Sequence, residues 1–160
     1  MSYKFRYQNF VDEQRAGKIH GVFIDDTGSP GLYYTSSQLH PERKSWVAVV
    51  VPRSVIAEVW NQFPGAIGEL KVQTGANEFH FSDIFMGRRE FEGISLSKRM
   101  AIFEFMSYLF AVYNFPILVQ TLDPESLQEI RGRVQFPDRL GPFNFRKQED
   151  LAFFFLLLRV

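Results

Sequence analysis

The sequence predicts an α/β layered domain with a mixed sheet, and three observations carry this prediction. Short apolar runs rich in β-branched residues occur in the first third of the chain, separated by turn-forming segments. A wide apolar stripe at helical spacing lies further along, and another short apolar run follows it. Sequential strands joined by turns favour an antiparallel three-strand meander, whereas a later strand reached through helices favours parallel pairing.

The three strands of the meander are predicted at residues 19–25, 31–36 and 45–51. The first strand ends abruptly in the turn-rich DDTGSPG, and the polar SSQLHPERK separates the second from the third. Pro52 then suits the first turn of a helix, PRSVIAEVWNQF. We expect this helix to end at the Pro-Gly pair that follows it, because proline interrupts a helix interior.

The second half of the chain is predicted to alternate helices with one strand. Residues 95–112 form the clearest helix, because their apolar residues mark two adjacent stripes. Residues 115–122 form a buried strand, and residues 124–130 form a short helix. Residues 131–146 show no regular pattern, and an apolar helix follows them.

Composition excludes several classes of protein. The chain has 160 residues, which suits a single domain spanning 1–160, and its 18 basic residues balance 18 acidic ones. A balanced chain has no overall field that attracts nucleic acid, so a nucleic-acid partner must use a local basic patch. The absence of cysteine excludes disulfides and thiolate chemistry. With no secretory signal and no apolar run long enough to cross a bilayer, we expect a cytoplasmic location and no membrane partner.

The final residues, QEDLAFFFLLLRV, are unusually apolar for the end of a domain. A helix of this composition needs partners on nearly every side, and terminal segments usually fray into polar residues. We therefore expect either that the domain is truncated at its C-terminus and continues beyond Val160, or that this helix docks against another chain in a homo-oligomer.

Carboxylates at the ends of two predicted strands are candidate functional groups. Asp25 and Asp26 end the first strand, at a sheet edge where ligands often bind, and alternation along a strand points them to opposite faces. The same two residues equally suit an ordinary turn. Asp123 ends the later strand, and the sequence DPES also suits the capping of a helix by this residue.

A third candidate lies in the segment EFHFSDIF. If its first residues are extended, Glu78 and His80 share one face while the alternating phenylalanines anchor the other. A carboxylate beside an imidazole suits metal binding, proton transfer or contact with a phosphate. The alternative is an ordinary surface pair on an edge. We expect one helical turn, capped by Ser82, to follow this pair.

Basic residues are concentrated in two places. Arg88 and Arg89 closely follow the segment EFHFSDIF, and the stretch 131–148 carries five basic residues against one acid, with phenylalanines interleaved. Arginine beside exposed aromatic rings grips single-stranded nucleic acid through phosphate pairing and base stacking. The alternative is a solvated loop pinned to the core by its phenylalanines. The basic residues of this stretch are Arg131, Arg133, Arg139, Arg146 and Lys147.

The segment FIDDTGSPG, followed by strands and later by NEFHFSDIF, resembles the bacterial domain of unknown function 3800 family. Members of that family have a strand ending in an I-D-E-S-G type motif and an E-x-H segment after the first helix. Asp25 and Asp26 match the first motif, and Glu78 and His80 match the second. The resemblance covers about residues 20–123 and rests on short motifs.

The chain departs from the family pattern at three places. Asp26 stands where the family usually has Glu, and Thr27 stands where it usually has Ser. The C-terminal aspartate motif of the family does not occur before Val160, which agrees with a truncated domain. The resemblance implies a ribonuclease H-like three-layer fold, in which carboxylates at the ends of the first and fourth strands hold two metal ions.

The function that the resemblance implies is a metal-dependent phosphodiester hydrolase of the nuclease type. Asp25, Asp123 and Glu78 would be catalytic metal ligands, with Asp26 beside them, and His80 would position the phosphate or shuttle a proton. Carboxylates and water suit Mg²⁺ or Mn²⁺. The alternatives are a non-catalytic module of the same fold that binds nucleic acid or protein, and a metal hydrolase for a small phosphorylated molecule.

Overall fold

The computed structural model describes residues 3–26 and 42–160, in which six α-helices accompany a three-stranded and a two-stranded sheet. The predicted α/β class is confirmed, whereas the strand predicted at 31–36 lies outside the described residues. The chain divides into two compact units, Met1–Gly21 with Val51–Phe115 and Val22–Val50 with Pro116–Val160. No helix in the described ranges combines the length and the apolar character that a membrane span requires.

The α-helices and strands occur in the following order along the chain. They are α1 (Tyr3–Arg15), β1 (Gly21–Asp26), β2 (Lys44–Val51), α2 (Arg53–Thr74), α3 (Phe81–Met86), α4 (Leu96–Tyr113), β3 (Ile117–Leu122), α5 (Pro124–Arg133), β4 (Arg139–Leu140), β5 (Phe143–Asn144) and α6 (Gln148–Leu157).

The first unit is helical, and its core forms between α3 and α4. Ser95 caps α4, because the Ser95 hydroxyl accepts a hydrogen bond from the backbone N–H of Lys98 at 3.4 Å. Ile102 of α4 is buried with Ile84 and Phe91. These contacts fix the segment that carries the Glu78–His80 candidate pair, since Phe79 packs against the same cluster.

Helix α2 continues through Pro64, where the sequence predicted that it would end. An interior proline costs about 3 kcal/mol because it removes one helical hydrogen bond. Leu70, in a later turn of α2, packs against the buried core, and this burial offsets part of that cost. The helix ends instead at Gly75, whose left-handed backbone (φ 72°) lets its N–H donate to the carbonyl of Lys71 at 2.8 Å.

Helix α1 has no counterpart among the predicted elements, because its residues show no apolar stripe. Tertiary contacts hold it instead. It packs along α2, and the guanidinium of Arg15 lies 5.3 Å from the ring centre of Trp60. Within the helix, the Gln8 side chain donates to the Asp12 carboxylate at 3.0 Å across one turn.

The second unit contains a sheet with strand order β1-β2-β3. The parallel pairing predicted for the last of these strands is wrong, since β3 lies antiparallel to β2 with Lys44 opposite Leu122 and Val49 opposite Ile117. The physical reason lies at the strand junction. The Val50 N–H donates to the Pro116 carbonyl at 2.9 Å, so β3 begins at the end of the sheet where β2 leaves it.

Helix α6 covers one face of this sheet. Leu151 and Ala152 are buried with Leu122 of β3, and the ring of Trp46 stacks on Phe153 with centroids 4.6 Å apart. The apolar helix, for which the sequence predicted a partner chain or a continuing domain, therefore finds apolar partners inside its own unit. The stretch 131–146, predicted to be irregular, contains the end of α5 and the short β4–β5 hairpin.

Candidate functional site

Asp25 and Asp26 are the last two residues of β1, and both are exposed. One carboxylate oxygen of Asp25 accepts the backbone N–H of Asp26 at 3.0 Å. This bond joins two neighbouring residues of β1, and it tests neither the turn nor the site interpretation of the DDTGSPG segment. The residues that follow Asp26, up to residue 41, lie outside the described part of the chain.

Asp123 caps helix α5. Its carboxylate accepts a hydrogen bond from the backbone N–H of Ser126 at 2.6 Å, and Pro124 occupies the first helical position. The capping interpretation of the DPES sequence is therefore confirmed. The carboxylate is half-buried at the helix N-terminus, where the aligned peptide dipoles favour a negative charge.

The structure brings Glu78 and His80 into direct contact. The Glu78 carboxylate lies 3.0 Å from the imidazole Nε2 of His80, and the two side chains are 77% and 54% exposed. Phe79 between them faces the other way, with its ring 6.1 Å from that of Phe91. Helix α3 begins at Phe81, directly after His80, so the prediction that Ser82 caps this turn is wrong.

The implied metal ligands do not assemble into a metal site in the described ranges. Within residues 3–26 and 42–160, no three or more His, Asp or Glu side chains group in a way that could hold a metal ion. Asp123 is committed to its helix cap, and the pair Glu78–His80 supplies two groups.

The two arginines after α3 are exposed and lie on a tight turn. Arg89 has a left-handed backbone (φ 53°), and its guanidinium lies 3.4 Å from the carboxylate of Asp83. The backbone N–H of Arg88 donates to the carbonyl of the same aspartate at 2.9 Å. The contact with Asp83 links Arg89 to helix α3, whereas the side chain of Arg88 is exposed.

The basic residues of the 131–148 stretch differ in what they contact. Arg131 donates through one guanidinium nitrogen to the carbonyls of Phe145 and Arg146, at 3.1 and 2.9 Å. Arg146 itself is paired with Asp138 at 2.6 Å. Arg133 is paired with Glu129, also at 2.6 Å and one helical turn away. Arg139 and Lys147 are both exposed.

The phenylalanines of this stretch pack against the core and do not form an extended stacking surface. Phe145 is buried, and Phe136 and Phe143 pack against the same core cluster. The Phe136 ring meets those of Phe145 and Phe155 edge-on, at centroid distances of 5.7 and 5.9 Å. The alternative interpretation, a loop pinned to the core by its phenylalanines, is confirmed for these rings.

A pocket of about 380 Å³ lies against this pinned loop. Its polar lining comes from the guanidinium groups of Arg131 and Arg146, the carboxylate of Asp138 and the amide of Gln135. Its apolar lining includes Phe136 and Leu151. The hydrogen bond from Arg146 and the charge of that guanidinium lower the pKa of Asp138. The lining thus carries two guanidinium charges against one carboxylate, and it favours an anionic ligand.

Comparisons with protein-family models, curated proteins and solved structures find no match. The resemblance to the domain of unknown function 3800 family therefore rests on the sequence motifs around Asp25 and Glu78, and it stays a prediction. The ribonuclease H-like fold that it implies stays a prediction as well.

Two residues that line the pocket could not be assigned to it from the sequence. Asp138 stood out only as the single acid of its stretch, and nothing in the spacing paired it with Arg146. Gln135 lies in a segment without regular periodicity. Arg131 and Arg146 themselves were predicted as ligand-binding residues from local charge, and the structure places both in the lining of one pocket.

Proposed function

We propose that this chain is a non-catalytic module that binds single-stranded nucleic acid, with one phosphate held in the pocket between Arg131 and Arg146. The observation that carries this proposal is the convergence of two anchored guanidinium groups on one concave site. Guanidinium groups bind phosphate by paired, charge-assisted hydrogen bonds, so this residue type suits the backbone of a nucleic acid.

The anchoring of Arg131 supports the proposal on energetic grounds. A free arginine loses side-chain entropy when it binds a ligand. Arg131 is already held by the carbonyls of Phe145 and Arg146 through a single nitrogen, Nη2. Because these bonds hold the side chain in place, Arg131 loses less side-chain entropy when it binds a phosphate.

The aromatic wall of the pocket suits a base or a sugar next to that phosphate. Phe136 lines the pocket, and T-shaped contacts with the rings of Phe145 and Phe155 hold its ring in place. A ring held in this way offers a contact surface to any base, since every base has a π-face. The buried state of Phe145 limits this contact to one ring, so we expect a short site rather than an extended track.

The test is a titration of a fluorescein-labelled oligothymidylate, followed by anisotropy at low salt. We expect wild-type chain to bind and Arg146→Gln to weaken binding about tenfold, because one charged hydrogen-bond donor to phosphate is lost. Arg133→Gln is the matched control, since it removes the same charge from an exposed residue outside the pocket lining. Absence of binding by the wild type, or an equal loss in both variants, would overturn the proposal.

A second candidate function is the metal-dependent phosphodiester hydrolase that the motif resemblance implies. The observation that favours it is the exposed contact between Glu78 and His80, since a carboxylate-bound imidazole can position a phosphate or transfer a proton. It ranks second because the described residues do not group into a metal site.

The hydrolase is tested by incubating labelled single- and double-stranded oligonucleotides with Mn²⁺ or Mg²⁺. Hydrolase function requires cleavage by the wild type, and its loss in both Asp25→Asn and His80→Gln. Glu92→Gln, which changes an exposed carboxylate outside the candidate set, should cleave normally. Cleavage that survives in Asp25→Asn would contradict the metal role of that residue, and binding without cleavage would favour the non-catalytic module.

A further inference from the structure

Another pocket, of about 390 Å³, lies within the first unit, between the last turns of α2 and the first turns of α4. Its volume falls in the ~300–1,000 Å³ range of small-molecule sites, which often lie between helices. Residues at i, i+3 and i+4 share one face of a helix, and each helix lines the pocket with such a face. The two sets are Leu70, Gln73 and Thr74 on α2, and Lys98, Ala101 and Ile102 on α4.

The apolar part of this pocket is continuous with the core of the unit. Ile102 is buried in that core, and Leu70 and Ile94, which also line the pocket, pack against it. Ala101 is small and exposed, so its side chain leaves the space beside these residues unfilled. A hydrocarbon group that enters the pocket would therefore extend an existing core and gain free energy from the burial of its surface.

Several polar groups around the pocket already have partners. The Thr74 hydroxyl donates to the carbonyl of Leu70 at 2.7 Å and accepts the backbone N–H of Ala76 at 3.2 Å. The carbonyl of Ile94 accepts a hydrogen bond from Nε of Arg99 at 3.0 Å. Recognition of a polar ligand group therefore depends on the two other polar side chains of the lining, Gln73 and Lys98.

Lys98 determines the charge of a suitable ligand. Among the described residues that line the pocket, it carries the only charge, and it forms no ion pair within the described part of the chain. It lies in the first turn of α4, which contains no acidic residue. A cation there is repelled by the positive end of the helix dipole, and a bound anion would relieve that repulsion.

We propose that this pocket binds a small amphipathic carboxylate, with its carboxylate at Lys98 and Gln73 and its hydrocarbon part against Leu70 and Ile102. One cation and one amide beside an apolar cavity match a single anionic group on an apolar body. This site does not depend on the proposed phosphate pocket, because its residues all belong to the first unit whereas those of the phosphate pocket belong to the second.

The test is a titration of the isotope-labelled chain with octanoate, followed by the chemical shifts of backbone amides in two-dimensional NMR spectra. We expect saturable shifts concentrated at residues 70–74 and 98–102. Octanol has the same hydrocarbon length without the charge, and it should bind several times more weakly because it forms no ion pair with Lys98. Shifts that do not saturate, shifts centred on other residues, or equal binding of octanol would each overturn the proposal.

Two variants and a matched control locate the binding site. Lys98→Gln should weaken octanoate binding about fivefold, a modest change because solvent screens an exposed ion pair. Lys71→Gln removes the same charge from an exposed lysine of α2 outside the pocket lining, and it should leave the affinity unchanged.

Ala101→Phe should abolish binding, because the larger side chain fills the pocket. Its circular dichroism spectrum and melting temperature show whether the variant is folded, and Lys98→Gln tests the site whatever that result. The proposal is wrong if Lys98→Gln loses no more affinity than Lys71→Gln, or if folded Ala101→Phe binds octanoate as the wild type does.

Discussion

At the scale of single residues, Asp138 controls how much of Arg146 a ligand can reach. The carboxylate holds the guanidinium at 2.6 Å and sits in the lining of the same pocket. A phosphate that enters the pocket must compete with this carboxylate for the hydrogen-bond donors of Arg146. The pair therefore positions Arg146 and also weakens its attraction for an anion.

We predict that Asp138→Asn binds the labelled oligonucleotide several times more tightly than wild type, because it removes the competing charge and keeps a polar side chain of the same size. Anisotropy titration at fixed salt measures the change. Glu129→Gln is the control, since it breaks the 2.6 Å pair of Arg133 outside the pocket lining and should alter affinity little. Weaker binding by Asp138→Asn would mean that the carboxylate serves chiefly to orient Arg146.

The residues of the pocket show what the sequence could predict at this scale. Local charge density was enough to select Arg131 and Arg146. The bonds that anchor Arg131 join residues 14 and 15 positions apart, so they depend on how α5 meets the segment between β5 and α6. No periodicity carries that information. The capping role of Asp123 was predictable, because a helix cap is encoded within four consecutive residues.

At the scale of elements, the starts of two helices were predictable from local sequence, whereas the end of a helix that depends on tertiary packing was not. Helix α4 begins directly after Ser95, within one residue of the start that its apolar stripes predict, and α5 begins at Pro124. Helix α2 passes Pro64 because the turns that follow it bury Leu70 in a core made from other segments. The low helix propensity of proline gives no information about the free energy gained by that burial.

Helix α3 depends on a contact that joins it to α4. The guanidinium of Arg99 donates to the carbonyls of Ile84 and Phe85, at 2.6 and 2.5 Å, near the end of α3. Gly87 ends that helix in a left-handed conformation (φ 65°), and a Cβ at this position would lie 2.9 Å from the Arg99 Cζ atom. The glycine therefore makes room for the arginine as well as adopting the turn.

We predict that Gly87→Ala lowers the free energy of unfolding by more than the ~1–2 kcal/mol that the left-handed backbone alone costs an L-residue. Urea denaturation measures the loss. Gly93→Ala is the matched control, because Gly93 is also left-handed (φ 79°) and nothing lies within 4 Å of its Cβ position. Equal losses in the two variants would show that Arg99 moves aside at no cost.

At the scale of the whole molecule, the balance of charge restricts how a nucleic acid can be bound. The chain has 18 basic and 18 acidic residues, and several of the arginines in the 131–148 stretch are committed to nearby acceptors. Without an overall positive field, binding depends on the few donors that a phosphate can reach. The number of phosphates contacted, and so the dependence on salt, should be small.

We predict that the logarithm of the binding constant falls with the logarithm of salt concentration with a slope of about −0.7, the value for one phosphate contact on a single strand. Arg146→Gln should make the slope shallower, because Arg131 alone neutralises that phosphate less completely. Titrations at several salt concentrations measure both slopes. A wild-type slope of about −3 or steeper would correspond to four or more contacts and would place binding on a basic surface wider than this pocket. Arg139 and Lys147, both exposed in the same stretch, would then be the next residues to change.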